Sequence, residues 1–132
     1  MDLKVLEIAS HTENNKILEN FTHKSKNKNP LCGDEMEISL IVKNNVIKEM
    51  GYQCKSCIYC QASVSLLSRK VIQLSMAQIR DLLSSAENFF RNNENINIKR
   101  WKVFKEIMNK DNISRKECLL LPFRTLSKAL DK

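Results

Sequence analysis

The chain has 132 residues, of which 42% are hydrophobic and 28% are charged. This composition is that of an ordinary domain with a single core, so we expect one domain over residues 1–132. No run approaches the roughly 18 apolar residues of a membrane span, and Met1-Asp2-Leu3-Lys4 lacks the basic-then-apolar layout of a signal peptide. The expected location is therefore the cytoplasm, with no membrane partner.

The formal net charge of +7 raises the question of nucleic-acid binding, because clustered lysines and arginines bind phosphate. Residues 24–28 carry three lysines among serine and asparagine, which is also typical of a solvated loop. Phe21 is the only aromatic residue nearby, so no stacking platform accompanies the charge. Nucleic acid is thus a disfavoured partner, and a basic surface suits an acidic protein partner equally well.

The first 28 residues are predicted to form an N-terminal helical segment and a loop, ahead of a core over residues 29–132. Their apolar residues recur at loosely helical spacing and are interrupted by the polar stretch 10–15, so we expect two short helices or one poorly packed helix. The apolar set is Leu3, Val5, Leu6, Ile8, Ile17, Leu18 and Phe21. His11 and His23 have polar neighbours and are interpreted as surface residues rather than ligands.

The clearest strand signal lies in residues 35–42, where every second residue from 36 to 42 is apolar. Asn44 and Asn45 tolerate positive φ and predict a tight turn, from which residues 46–53 return as a second strand. Gly51 in that strand indicates a bulge or a close approach of another backbone segment. Because a hairpin brings its outer ends together, residues 29–34 should lie beside residues 54–60.

The apolar period becomes helical after residue 61. A capping-box pattern at Ser75-Met76-Ala77-Gln78 predicts the start of a second helix that continues to Phe90. Residues 91–98 are polar and are predicted to form a mobile linker. A third amphipathic helix is expected around Trp101, and its apolar stripe is more typical of a core than of a cofactor contact.

A terminal helix is predicted around Pro122, because proline fits the first turn of a helix. Cys118 would then lie just before the N-terminus of this helix. The helix dipole and the free N–H groups at such a position favour a thiolate.

The chain has five cysteines, and an odd number without an export signal favours free thiols, metal ligands or reactive sulfur over disulfides. The predicted hairpin places Cys32 and Asp34 beside Cys54, Cys57 and Cys60. Zinc and iron accept thiolates readily, and three cysteines with one carboxylate form a four-ligand set whose oxygen corner favours exchange. Taken alone, the Cys-x-x-Cys-x-x-Cys run is also compatible with a ferredoxin-like electron carrier.

Three segments, in order, resemble the motifs of the IscU/NifU-type iron–sulfur cluster assembly proteins. Residues 29–34 resemble an N-P-x-C-G-D segment, Cys57 and Ala62-Ser63-Val64-Ser65 resemble G-C with A-S-x-S, and Cys118 with Leu121-Pro122-Phe123 resembles C-A-x-L-P-W. The resemblance covers roughly residues 29–130. It implies an α+β fold, in which a small antiparallel sheet of about three strands packs against several helices with a metal or thiol site at one end.

The resemblance also implies the site residues. Matched position by position, the family's metal and cluster ligands fall on Cys32, Asp34, Cys57 and Cys118. Cys32 is then the candidate sulfur acceptor, and the three cysteines would hold an iron–sulfur cluster.

Some positions depart from the family pattern. Cys54 stands where the family usually has glycine, and Cys60 where it has a small or hydroxyl residue. Each is either a small buried residue or an auxiliary thiol for sulfur relay or alternative ligation. Because four ligands already complete a tetrahedral site, we favour the first interpretation.

Glu117 stands where the IscU branch has histidine, and the long stretch before Cys118 resembles the SufU branch.

Three functions follow as hypotheses. The first is a scaffold that assembles a transient cluster, most simply [2Fe–2S], and passes it to apo iron–sulfur proteins. The second is a zinc-dependent, SufU-like sulfur acceptor for a cysteine desulfurase. The third, supported by charge alone, is a zinc-stabilised module that binds nucleic acid or protein. The first two describe a scaffold or sulfur carrier more than a turnover enzyme.

Overall fold

The computed structural model describes residues 3–29, 33–92 and 99–131, and shows the α+β architecture that the sequence predicts. In these residues three strands form one antiparallel sheet in the order β1-β2-β3. The strands are β1 His23–Lys28, β2 Glu35–Lys43 and β3 Val46–Lys55. The α-helices are α1 Leu3–Ala9, α2 Ile58–Lys70, α3 Met76–Asn92 and α4 Lys116–Leu130, with two 3₁₀ helices, Lys99–Glu106 and Lys110–Arg115.

The predicted hairpin is confirmed as β2 and β3. Asn44 and Asn45 adopt φ values of 55° and 62°, the left-handed conformation that a two-residue hairpin turn requires. The register pairs Met36 with Cys54 at the far end of the hairpin, so the segments before β2 and after β3 leave the sheet side by side. β3 continues to Lys55, two residues beyond the predicted end.

The predicted loop over residues 24–28 is wrong, because these residues lie in β1 at the edge of the sheet. Ser25 points inward and donates a 2.6 Å hydrogen bond to the Thr125 carbonyl, while Lys24 and Lys26 point outward and pair with Glu37. The strand carries almost no apolar side chains, and its pairing depends on main-chain hydrogen bonds and neighbouring side chains. Hydrophobic alternation could not reveal such a strand.

The N-terminal segment forms one short helix, α1, and residues 10–22 then run along β3 and the outer face of the sheet without a second helix. The Tyr52 N–H donates to the Asn14 carbonyl over 3.0 Å, and the Leu18 N–H donates to Ser39 Oγ over 3.1 Å. A Cβ atom at Gly51 would clash with the Lys16 carbonyl oxygen. The predicted close backbone approach at Gly51 is therefore confirmed, and the irregular register lies at Ile41 and Val42 instead.

One hydrophobic core lies between the inner face of the sheet and the helices. The predicted capping box is confirmed, because the Ser75 N–H donates to Gln78 Oε1 and the Gln78 N–H donates to Ser75 Oγ. The expected amphipathic helix around Trp101 is a 3₁₀ helix. The Trp101 indole is nonetheless buried, and its N–H donates a 2.9 Å hydrogen bond to Asp81. The predicted linker falls largely on residues 93–98, which lie outside the described residues.

The terminal helix begins earlier than predicted. α4 starts at Lys116, so Pro122 lies in its interior and Cys118 lies within its first turn rather than before it. The apolar residues 119–121 are buried in the core, and this burial outweighs the missing N–H of Pro122. No helix in the described part of the chain is long and apolar enough to cross a membrane.

Replacing Gly51 by alanine should destabilise the protein by about 1–3 kcal/mol, the usual cost of forcing extra volume into a packed region. The added methyl group would displace the backbone at Lys16 and with it the segment that covers the sheet. Urea unfolding measures the loss. The control Gln53→Ala changes an exposed residue of the same strand and should alter the free energy of unfolding by less than about 0.5 kcal/mol. Equal stabilities of the two variants would contradict the steric explanation.

Candidate metal centre

Three side chains that are distant in sequence meet at one end of the sheet. One carboxylate oxygen of Asp34 and the sulfur atoms of Cys57 and Cys118 all lie within 4.8 Å of one another. Asp34 directly precedes β2, Cys57 lies between β3 and α2, and Cys118 lies in the first turn of α4. Oxygen and sulfur atoms at this separation can bind one small cation or cluster edge.

Backbone hydrogen bonds link Asp34 and Gly33 to Asn29. The Asn29 N–H donates to the Asp34 carbonyl and the Gly33 N–H donates to the Asn29 carbonyl, both over 2.8 Å. Gly33 has a φ of 76°, which L-residues with a side chain rarely adopt. The Asp34 side chain is 8% exposed, and its Oδ2 atom has no hydrogen-bond partner among the described residues. A buried carboxylate oxygen without a partner is costly, and a metal cation would satisfy it.

Cys57 is the N-cap residue of α2. Its backbone is extended, with φ −70° and ψ 167°, and its carbonyl accepts the first helical hydrogen bond from the Gln61 N–H over 3.1 Å. The Gln61 side chain also donates to the Ser56 carbonyl over 2.9 Å, which holds the bend before the helix. The Cys57 side chain makes no capping hydrogen bond, so its sulfur remains available to the site.

A hydrogen bond next to Cys118 joins the first turn of α4 to α2. Ser63 Oγ in α2 donates to the Leu119 carbonyl in α4 over 2.7 Å.

Burial raises the pKa of the Cys118 thiol, and the nearby Cys57 and Asp34 raise it further. The expectation of a thiolate is therefore wrong for the metal-free chain, because burial and these neighbours outweigh the helix dipole. A bound cation would reverse this preference, since metal binding displaces the thiol proton.

Cys32, the predicted fourth ligand and candidate sulfur acceptor, lies outside the described residues together with Pro30 and Leu31. The structure thus brings together three of the four predicted ligands. Their role in binding a metal stays a prediction. The three side chains suit a zinc ion or an iron–sulfur cluster, because they offer two soft sulfur atoms and one harder oxygen atom.

Cys54 and Cys60 do not belong to the group of three ligand atoms. Cys54 lies half-buried near the end of β3, and Cys60 is completely buried in the first turn of α2. Burial raises the pKa of both thiols, and the nearby Ser56 hydroxyl opposes the shift in both. Asp34 and Cys57 also raise the pKa of both thiols, so these two cysteines lie within electrostatic range of the site.

Two contacts that the sequence did not indicate link the elements around the site. The Arg115 guanidinium lies 5.0 Å from the centre of the Tyr59 ring, so a cation–π contact joins the beginnings of α2 and α4. The second contact is the Ser63 hydrogen bond. Both join residues of separate elements, and the motif pattern alone contains no signal for such pairs.

The family model described as the NifU-like N-terminal domain matches residues 2–131. The chain belongs to this family. Among curated proteins, the iron–sulfur cluster assembly scaffold protein IscU of Thermotoga maritima is 29% identical over 130 residues, which cover 97% of this chain and 90% of that protein. An uncharacterised protein of Borreliella burgdorferi is also 29% identical, over 86% of this chain and 74% of that protein.

Solved structures of other NifU-like proteins share the fold. A NifU-like protein of Brucella abortus superimposes with a TM-score of 0.90 at 21% identity, over 98% of this chain and 91% of that one. A SUF-system iron–sulfur cluster assembly scaffold protein of Fervidobacterium islandicum has the same TM-score at 20% identity, over 98% of this chain and 96% of that one. The expected IscU/NifU membership is confirmed, and the second likeness is consistent with the SufU branch.

Alkaline pH should destabilise the metal-free NifU-like domain through Cys60. Burial raises the pKa of this thiol in the folded chain, whereas the unfolded chain ionises it near the ordinary value of about 8.5. Above that pH the unfolded state has lost a proton that the folded state keeps, so the free energy of unfolding falls.

Denaturant unfolding at several values between about pH 7 and about pH 10 measures this fall. Cys60→Ala leaves a small apolar side chain in place and is the control. Its stability should decrease less with pH than that of the unchanged protein. Identical pH profiles for the two proteins would show that Cys60 ionises normally in the fold.

Proposed function

We propose that this NifU-like domain is an iron–sulfur cluster assembly scaffold. It receives sulfur and iron on Cys32, Cys57, Cys118 and Asp34, assembles a transient cluster such as [2Fe–2S], and passes it to apo iron–sulfur proteins. The observation that supports this function best is the convergence of the Cys57 and Cys118 thiols on the buried carboxylate of Asp34, whose Oδ2 atom has no hydrogen-bond partner among the described residues. The resemblance to the Thermotoga maritima scaffold protein supports the same function.

The composition of the site suits cargo that must leave again. Thiolates bind the iron of a cluster firmly, while the harder carboxylate oxygen of Asp34 makes one ligand position more exchangeable. Cys57 and Cys118 are both partly exposed, which allows sulfur and iron to enter and a partner to approach. A cysteine desulfurase would supply the sulfur as a persulfide, and the cluster would leave toward the acceptor protein.

The alternative within the same family is a zinc-dependent sulfur acceptor. Zinc bound by the same residues would keep the thiols as thiolates, which the metal-free site disfavours at Cys118. Docking on a cysteine desulfurase would then free one thiolate, with Cys32 as the candidate, to take the persulfide sulfur. The shared fold with the SUF-system scaffold protein favours this alternative over any function outside the family.

Two functions outside the family have less support. Two of the lysines behind the nucleic-acid hypothesis, Lys24 and Lys26, are paired with Glu37, and this reduces the positive field of β1. A ferredoxin-like carrier would need Cys54, Cys57 and Cys60 to converge. Among the described residues, only Cys57 of these three belongs to a compact group of candidate ligands.

The first test is metal content after anaerobic purification. We expect one zinc ion or one small cluster per chain, and Cys57→Ser or Cys118→Ser should remove most of it because each deletes a thiolate ligand. Zinc, iron and acid-labile sulfide analysis with absorbance spectra measures the outcome. Cys54→Ser is the matched control and should retain its metal. Full occupancy in the Cys57→Ser protein would contradict the assignment.

A second test separates the scaffold from the sulfur acceptor. The protein is incubated with a cysteine desulfurase, L-cysteine and ferrous iron, followed by an apo-ferredoxin. A scaffold develops cluster absorbance and transfers it. An acceptor retains zinc and carries a persulfide that mass spectrometry detects.

Asp34→Ala should leave the fold intact and slow the release of cluster or metal several-fold, because it removes the exchangeable oxygen ligand. The rate of transfer to an apo-ferredoxin measures this, and circular dichroism checks the fold. Glu35→Ala removes a neighbouring, exposed carboxylate and serves as the control. Unchanged transfer from the Asp34→Ala protein would show that this carboxylate does not bind the cargo.

A further inference from the structure

Cys57 and Cys60 occupy a special pair of positions at the start of α2. Cys57 is the N-cap residue, and Cys60 is the third residue of the helix, since α2 begins at Ile58. The N-cap side chain and the side chain of the third helical residue lie on the same face, as in a capping box. In this chain both positions carry thiols.

The spacing of these two positions permits a disulfide. Cα atoms three residues apart in a helix are about 5 Å apart, within the range of about 4.4–6.8 Å over which a disulfide can join two residues. Cys57 is partly exposed, whereas Cys60 has 0% exposure. A reagent that enters the site therefore meets Cys57 before Cys60.

Cys60 has no role in the three-atom ligand group, so it stays available while that group is occupied. Cys118 is also close to Cys57, but a disulfide between these two cysteines would remove a second ligand from the site. Cys54 belongs to β3 and does not share the helix start with Cys57. Of the extra thiols, Cys60 is the better placed to react with sulfur carried by Cys57.

The chemistry of sulfur delivery supplies a reason for such a thiol. Sulfur that arrives as a persulfide is sulfane sulfur, whereas a cluster contains sulfide, and the conversion takes two electrons. We propose that Cys60 is the resolving thiol for a persulfide on Cys57. This inference rests on the proposed function only in that persulfide sulfur reaches the site.

Burial raises the pKa of Cys60, so the step proceeds through the small fraction of this cysteine that is a thiolate. Cys60 Sγ then attacks Cys57 Sγ and forms a disulfide between the two cysteines. The sulfur–sulfur bond of the persulfide breaks, and the outer sulfur leaves as hydrogen sulfide with the proton of Cys60. The Cys60 sulfur and the inner sulfur of Cys57 together lose two electrons, and the outer sulfur gains them. A dithiol reductant then returns both cysteines to thiols.

The experiment uses the full, reduced, metal-free chain and one equivalent of glutathione persulfide under anaerobic conditions. We expect about one sulfide released per chain and a disulfide that peptide mapping assigns to Cys57 and Cys60. Cys60→Ala should instead retain the added sulfur on Cys57, visible as a mass gain of one sulfur atom. Cys54→Ala, the matched control, should behave like the unchanged protein.

Sulfide release from Cys60→Ala at the unchanged rate would overturn the proposal, and so would a disulfide that maps to Cys54 or Cys118. The peptide map of the unchanged protein decides the question even where Cys60→Ala folds poorly. A parallel reaction with a cysteine desulfurase and L-cysteine tests the proposed function separately. Loading from glutathione persulfide without loading from the enzyme would count against sulfur acceptance and leave the role of Cys60 standing.

Discussion

The burial of a carboxylate against two thiols is the constraint on which the rest of the structure depends. Asp34 is almost completely buried, and its Oδ2 atom has no hydrogen-bond partner in the part of the chain that the structure describes. One of its carboxylate oxygens lies within 4.8 Å of the sulfur atoms of Cys57 and Cys118. Such a group is unfavourable in the absence of a cation. The surrounding elements must therefore hold the three side chains together, and each of them contributes to this.

The hairpin supplies the first part of that support. Its register pairs Met36 with Cys54, so the chain leaves β3 directly beside the loop that carries Asp34. Contacts between α2 and α4 supply the rest, because Ser63 Oγ donates a hydrogen bond to the Leu119 carbonyl, and the Arg115 guanidinium lies over the Tyr59 ring. The helix dipoles favour anions there, yet burial and the neighbouring groups raise the pKa of Cys118. Metal binding at this site is consequently linked to the loss of the proton from the Cys118 thiol.

The shared fold and the individual cysteines carry different information about this NifU-like domain. Solved relatives keep the same fold at 20–21% identity, so the architecture tolerates extensive substitution. Cys54 and Cys60 lie in β3 and in the first turn of α2 of that shared fold. The redox chemistry proposed for Cys57 and Cys60 would therefore depend on individual side chains and would require no new fold.

The sequence by itself determined the local features and, through its motifs, the family. Alternation predicted β2, the paired asparagines predicted the turn, and Ser75 with Gln78 predicted the cap, because each signal depends on neighbouring residues. The motifs named Asp34, Cys57 and Cys118 as members of one site, and Cys32 remains a prediction from them.

Only the tertiary structure decided which distant groups meet and in what state. β1 escaped prediction because its polar strand depends on contacts such as Ser25 with Thr125. The start of α4 moved to Lys116 because the following leucines pack into the core. The pKa of Cys118 is raised, contrary to the expected thiolate, because the side chain is buried beside Cys57 and Asp34. Burial and through-space neighbours set a pKa, and the order of residues along the chain does not encode them.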